Sequence, residues 1–170
     1  MKTLNAQKVS LYGFFTATAL LFGYVEYLVP LNFIAPGVKL GFANGVFLLL
    51  LFSEKYKVAF VVNLVRILLS TLLFGTPFSL LFSLTAGVSS MALMTLFYRF
   101  KKFGFIGISA LGAVVHNATQ LIVAAITVGQ GVWYYLPFLL IAGVIAGIGV
   151  GIITFFIYSR IYKTKLFVSL

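Results

Sequence analysis

The chain has 170 residues, of which 62% are hydrophobic and 8% charged, with a mean hydropathy of +1.17. That is more apolar surface than one soluble core can hide, and it defines an integral membrane protein. Its only acids, Glu26 and Glu54, and its lack of cysteine exclude aspartate-rich metal-phosphate chemistry, carboxylate-pair hydrolysis, acidic calcium loops, disulfides and thiolate nucleophiles.

A spanning helix needs about 20 residues, so the chain holds roughly six with no soluble domain. The expected architecture is all-α: a polytopic bundle of six transmembrane helices, one domain over residues 1–170. The first span is 9–29, ending at Pro30. The second, after Pro36-Gly37, is a short one over 39–53, closed by Glu54-Lys55-Tyr56-Lys57. The third is 58–74, stopped by Gly75-Thr76-Pro77, and the fourth is 79–98, stopped by Arg99-Phe100-Lys101-Lys102. The fifth is 105–128. After Gly129-Gln130-Gly131 and Trp133-Tyr134-Tyr135, Pro137 opens the sixth, 138–158. The first span follows a basic start, but it is too long for a secretory signal and lacks an A-x-A site, so it is expected to be retained.

A net charge of +10 suggests nucleic acid only if its distribution is ignored. Lys2, Lys8, Lys55, Lys57, Arg99, Lys101, Lys102, Arg160, Lys163 and Lys165 all fall on the side that holds both termini. Cytoplasmic segments carry this excess of Lys and Arg. The pattern predicts an even number of spans, a cell-membrane protein with both termini cytoplasmic, and basic stretches that meet the lipid bilayer rather than nucleic acid. Lys39 and Arg66 are the exceptions.

Ionisable and polar groups at membrane depth are costly and face a cavity or a partner. At a rise of about 1.5 Å per residue, Arg66 lies near the bilayer middle on the third helix. His116 is at similar depth on the fifth, with Asn117 beside it and Gln120 one turn further out. Asn44 is near the outer end of the second helix, and Glu26 is one turn below the outer end of the first. Asn63, Arg66 and Ser70 share one stripe at i, i+3, i+7, and His116 and Gln120 share another at i, i+4. These groups suit an outward-facing pocket. The alternatives are an Arg66–Glu26 staple and ordinary interhelical hydrogen bonds; Glu26 reads better as a partner for Lys39 or Arg66 than as a catalytic acid.

In the sixth helix Gly143, Gly147 and Gly151 recur every fourth residue, a close-packing face for another helix of the chain or for a second protein. Gly13 with Ala17 and Ala19 with Gly23 form weaker small-residue pairs on the first helix. Trp133-Tyr134-Tyr135 suits an interfacial belt or, alternatively, a lid over the pocket. One histidine without aspartate or cysteine makes neither a metal site nor a catalytic triad, and no glycine run resembles a phosphate-binding loop, so no enzyme, metal or cofactor is expected.

Three stretches carry a family resemblance: Pro36-Gly37-Val38-Lys39-Leu40-Gly41-Phe42-Ala43-Asn44; Leu64-Val65-Arg66-Ile67-Leu68-Leu69-Ser70 with Leu73-Phe74-Gly75; and His116-Asn117 with Gln120 and Tyr134-Tyr135-Leu136-Pro137. Together they resemble the Gx transporter family, also labelled heptaprenyl diphosphate synthase component I. Thr119 stands where that pattern leads one to expect glycine. The resemblance implies similarity to substrate-binding S components of energy-coupling-factor transporters: six helices, a substrate taken from the outer face, and a membrane scaffold subunit with two ATPases supplying energy. It also implies a scaffold contact on the first helix, where Gly13 and Ala17 are the nearest match. The cargo expected is a small vitamin-like molecule or an isoprenoid or quinone precursor. Arg66 and Lys39 would attract its anionic or carbonyl group, while His116, Asn117, Asn44 and Gln120 would bind its polar edge. Competing readings are a membrane accessory subunit of isoprenoid synthesis and a stand-alone carrier or flippase.

Overall fold

The computed structural model describes residues 6–28 and 41–161. They form six α-helices, α1 (Ala6–Leu28), α2 (Phe42–Phe52), α3 (Tyr56–Phe74), α4 (Pro77–Arg99), α5 (Phe105–Thr127) and α6 (Leu136–Ile161), with a 3₁₀ turn at Gln130–Tyr135 before α6. All but α2 are long and apolar enough to cross a bilayer.

The helix ends follow local chemistry. At the start of α4, Thr76 accepts from the Ser79 amide at 3.1 Å while Ser79 Oγ accepts from the Thr76 amide at 2.9 Å, a reciprocal cap that satisfies two otherwise unpaired donors. Pro77 occupies the first turn, where no intrahelical donor is needed. Just past the end of α2, Glu54 is held in the left-handed region at φ 60°. The Lys55 amide reaches back to Leu50 O and the Glu54 amide to Leu51 O, both at 3.0 Å, which is the Schellman closure usually built on glycine.

Aromatic contacts set the helix directions. Phe52 at the end of α2 stacks on Phe105 at the start of α5, with ring centroids 3.7 Å apart. It also meets Tyr98 near the end of α4 at 5.0 Å. Tyr158 near the end of α6 donates its hydroxyl to Phe52 O at 3.2 Å. At the opposite end, Tyr24 and Tyr27 of α1 lie against Phe74 at the end of α3. Successive helices therefore alternate in direction, and Lys55, Lys57, Arg99, Lys101, Lys102 and Arg160 gather at one end, hereafter the basic end.

The described part of the second helix begins at Phe42, directly after Gly41, which is left-handed at φ 77°. Its 11 residues cover roughly 16 Å, about half the hydrocarbon thickness. Every residue from Val46 to Leu51 is buried, with Leu48, Leu50 and Leu51 fully enclosed. A helix apolar on all sides belongs inside the protein, and α2 is the centre of the core that includes Phe15, Ala59, Val62, Met91, Met94 and Ile108.

The glycine face of α6 packs within the chain. A Cβ at Gly143 would lie 3.3 Å from Ala113 O, one at Gly147 2.5 Å from Ala110 Cα, and one at Gly151 2.7 Å from Ile106 Cα, all on the α5 backbone. Gly13 of α1, by contrast, faces open space, and Ala17 beside it is exposed.

Candidate substrate pocket

At the end opposite the basic residues, a partly open cavity of about 470 Å³ lies among α1 to α5. Glu26 and Gly23 of α1, Asn44 and Ala43 of α2, Arg66 and Ser70 of α3, Ser79 and Ser83 of α4, and His116 of α5 face it, with Tyr27 and Phe74 as aromatic wall. Five residues marked by sequence reasoning thus share one cavity: Arg66, Ser70, His116, Asn44 and Glu26.

Arg66 is held by its own helix. Its Nε and Nη2 both donate to Asn63 Oδ1, at 3.0 and 2.9 Å, and Asn63 Nδ2 donates in turn to Met91 Sδ of α4 at 2.8 Å. The stripe of Asn63 and Arg66 is therefore a clamp: a buried amide fixes one edge of the guanidinium. A guanidinium has five N–H donors, so the Nη1 edge stays clear of this clamp. That edge points across to α1, where a Cβ at Gly23 would come within 3.8 Å of Nη1.

Glu26 accepts a hydrogen bond from the backbone amide of Phe42, the first residue of α2. A carboxylate there satisfies an orphan donor and complements the positive end of the helix. Its charge also acts through space on Arg66. The cavity thus contains a cation clamped on one edge and an anion anchored on a helix start, with Asn44, His116 and the serine hydroxyls between apolar walls.

The other candidates are placed elsewhere. Asn117 is buried and donates through Nδ2 to Leu139 O of α6 at 2.9 Å. It points into the α5–α6 seam, a helical step of about 100° from His116, and Gly143 makes space for it. Gln120 is buried and does not face the cavity; its Oε1 has no hydrogen-bond partner among the described residues. Lys39 and the Pro36-Gly37 turn lie outside the described residues. Trp133, Tyr134 and Tyr135 are exposed and none of them lines the cavity, with Trp133 Nε1 donating to Gln130 Oε1 at 2.7 Å. That placement suits an interfacial belt.

Sequence reasoning missed Ser79 and Ser83 on α4. The signal was present: the two stand at i, i+4, on the same face, next to the Thr76-x-x-Ser79 cap.

Fold and cavity together define a polytopic α-helical membrane protein with a polar pocket inside its bundle. Residues 15–157 match the family described as heptaprenyl diphosphate synthase component I, and the chain belongs to that family. No curated protein and no solved structure gives a significant match.

Proposed function

We propose that this chain is the substrate-binding membrane subunit of an energy-coupling-factor-type uptake transporter. It has no catalytic role of its own, and it works with a membrane scaffold and two ATPases. The observation that carries the reading is the clamped Arg66, which lines a cavity of about 470 Å³ at the end away from the basic residues. By the positive-inside rule the basic end is cytoplasmic, so the cavity opens to the outer side of the cell membrane.

The chemistry selects a small amphipathic molecule. Arg66 receives an anionic or carbonyl group, Asn44 and His116 bind the polar edge, and Tyr27 and Phe74 cover the apolar body. Vitamin-like molecules and isoprenoid or quinone precursors have this form. Gly13 and Ala17 offer the open small-residue surface on which a scaffold helix would pack.

Small molecules retained by the purified full chain, identified by mass spectrometry, test the reading directly. Arg66→Ala weakens their binding about 10- to 100-fold if the guanidinium makes a charge-assisted bond, with helix content unchanged by circular dichroism. Equal affinity in the variant removes Arg66 from the site. The family description favours one second reading, an accessory subunit that presents a membrane-held isoprenoid to a soluble synthase. Co-purification separates the two: a scaffold with two ATPases supports transport, and a prenyl synthase subunit supports the accessory role.

A further inference from the structure

A second cavity, of about 510 Å³, lies between α3 and α4 at the basic end. Lys57 and Tyr56 in the first turn of α3 and Arg99, the last residue of α4, form its head. Phe60, one turn along α3, and Leu96 and Ala92, up to two turns back along α4, form its floor. The Thr95 hydroxyl spends its only hydrogen on its own helix, donating to Met91 O at 2.8 Å. From Arg99 to Ala92 the groove extends roughly 10 Å along the helix, from the charged end into the apolar layer. Its floor is open to the surroundings: Phe60 is 38% and Leu96 48% exposed.

We infer that this groove binds one anionic phospholipid, with the headgroup phosphate between Lys57 and Arg99 and an acyl chain along Phe60, Ala92 and Leu96. The match is of charge and of depth. Two cations with a tyrosine hydroxyl meet a phosphate where headgroups lie, and an exposed apolar track continues in the direction an acyl chain takes. Glu54 is the sole acid in the basic connections, so the head of the groove favours a net negative lipid over a zwitterionic one, whose own cation is repelled.

The chain has one tryptophan, Trp133, at the far end of the bundle, so the groove can carry its own reporter. Phe60→Trp is made in a Trp133→Phe background, and the full chain is reconstituted with brominated phosphatidylglycerol or brominated phosphatidylcholine. Selective quenching by phosphatidylglycerol is expected. Lys57→Gln and Arg99→Gln each lower that preference about fivefold, the scale set by one basic residue near an anionic surface. Lys101→Gln with Lys102→Gln removes two charges outside the groove and leaves the preference in place. Native mass spectrometry of the chain with Phe60 intact shows the same ordering of retained lipids. Equal quenching by both lipids, a loss in the Lys101→Gln, Lys102→Gln variant equal to that in Lys57→Gln or Arg99→Gln, or loss of the preference on adding inorganic phosphate overturns the assignment.

Discussion

Replacing Gly147 by alanine tests whether the glycine face of α6 is a seam within the chain. A methyl group there would sit 2.5 Å from Ala110 Cα, 2.9 Å from Ser109 O and 3.0 Å from Ala110 N. These are backbone atoms and cannot turn aside. Carbon atoms rest about 3.5–4.0 Å apart, so α5 and α6 must separate by roughly 1 Å at this point. Overpacking of this kind costs about 1–3 kcal/mol, against about 0.5–1 kcal/mol gained by replacing glycine in a helix. Gly149, two residues away, has nothing within 4 Å of its Cβ position, so Gly149→Ala keeps that gain without the clash. The two variants should therefore differ by about 1–3 kcal/mol, with Gly147→Ala the less stable. Unfolding in mixed micelles with increasing dodecyl sulfate, followed by far-ultraviolet circular dichroism, measures both. A Gly149→Ala variant as unstable as Gly147→Ala would refute the reasoning, since steric contact with α5 would then not set the cost.

Three further substitutions separate structure from binding. Asn117→Ala loses the bond to Leu139 O and leaves a small void, so it destabilises by about 1–3 kcal/mol while retention of small molecules stays as in the parent chain; reduced retention with unchanged stability would place Asn117 in the site. Glu26→Ala removes the acceptor for the Phe42 amide and loosens the first turn of α2 by about 1 kcal/mol, as loss of a cap does. Hydrogen exchange at Phe42 should quicken by roughly fivefold for that energy, and unchanged exchange would show that the carboxylate does not hold the turn. Glu54→Gly relieves a left-handed residue at φ 60° and raises the unfolding midpoint, with a gain of about 1 kcal/mol; an unchanged midpoint would show that the turn carries no strain.

The five long helices are legible because each needs a run of apolar residues near 20, and charged or proline-glycine punctuation closes every run. The spacing of the α6 glycines announces a close-packing face but leaves its partner open; the contacts with the α5 backbone identify it. Arg66 and His116 stand out because a polar group at membrane depth is rare and costly. The detail around them is less legible. Glu26 and Phe42 are 16 residues apart, and no local pattern announces that a side chain of one helix will cap the start of another. Asn117 and His116 are adjacent in sequence yet face different neighbours, because one helical step turns a side chain by about 100°. Ser79 and Ser83 look like ordinary helix serines until α4 is packed beside Arg66.

The half-length of α2 has a consequence for biogenesis. Eleven residues are too few to carry a helix across about 30 Å of hydrocarbon unaided, so α2 does not qualify as an independent insertion signal. Its C-terminal turn joins it directly to α3, and its side chains find their surroundings in five other helices rather than in lipid. Entry of α2 into the membrane is thus coupled to the arrival of its neighbours. A topology reporter fused just after Ser53 would report a different sidedness from one fused after the whole bundle has been made.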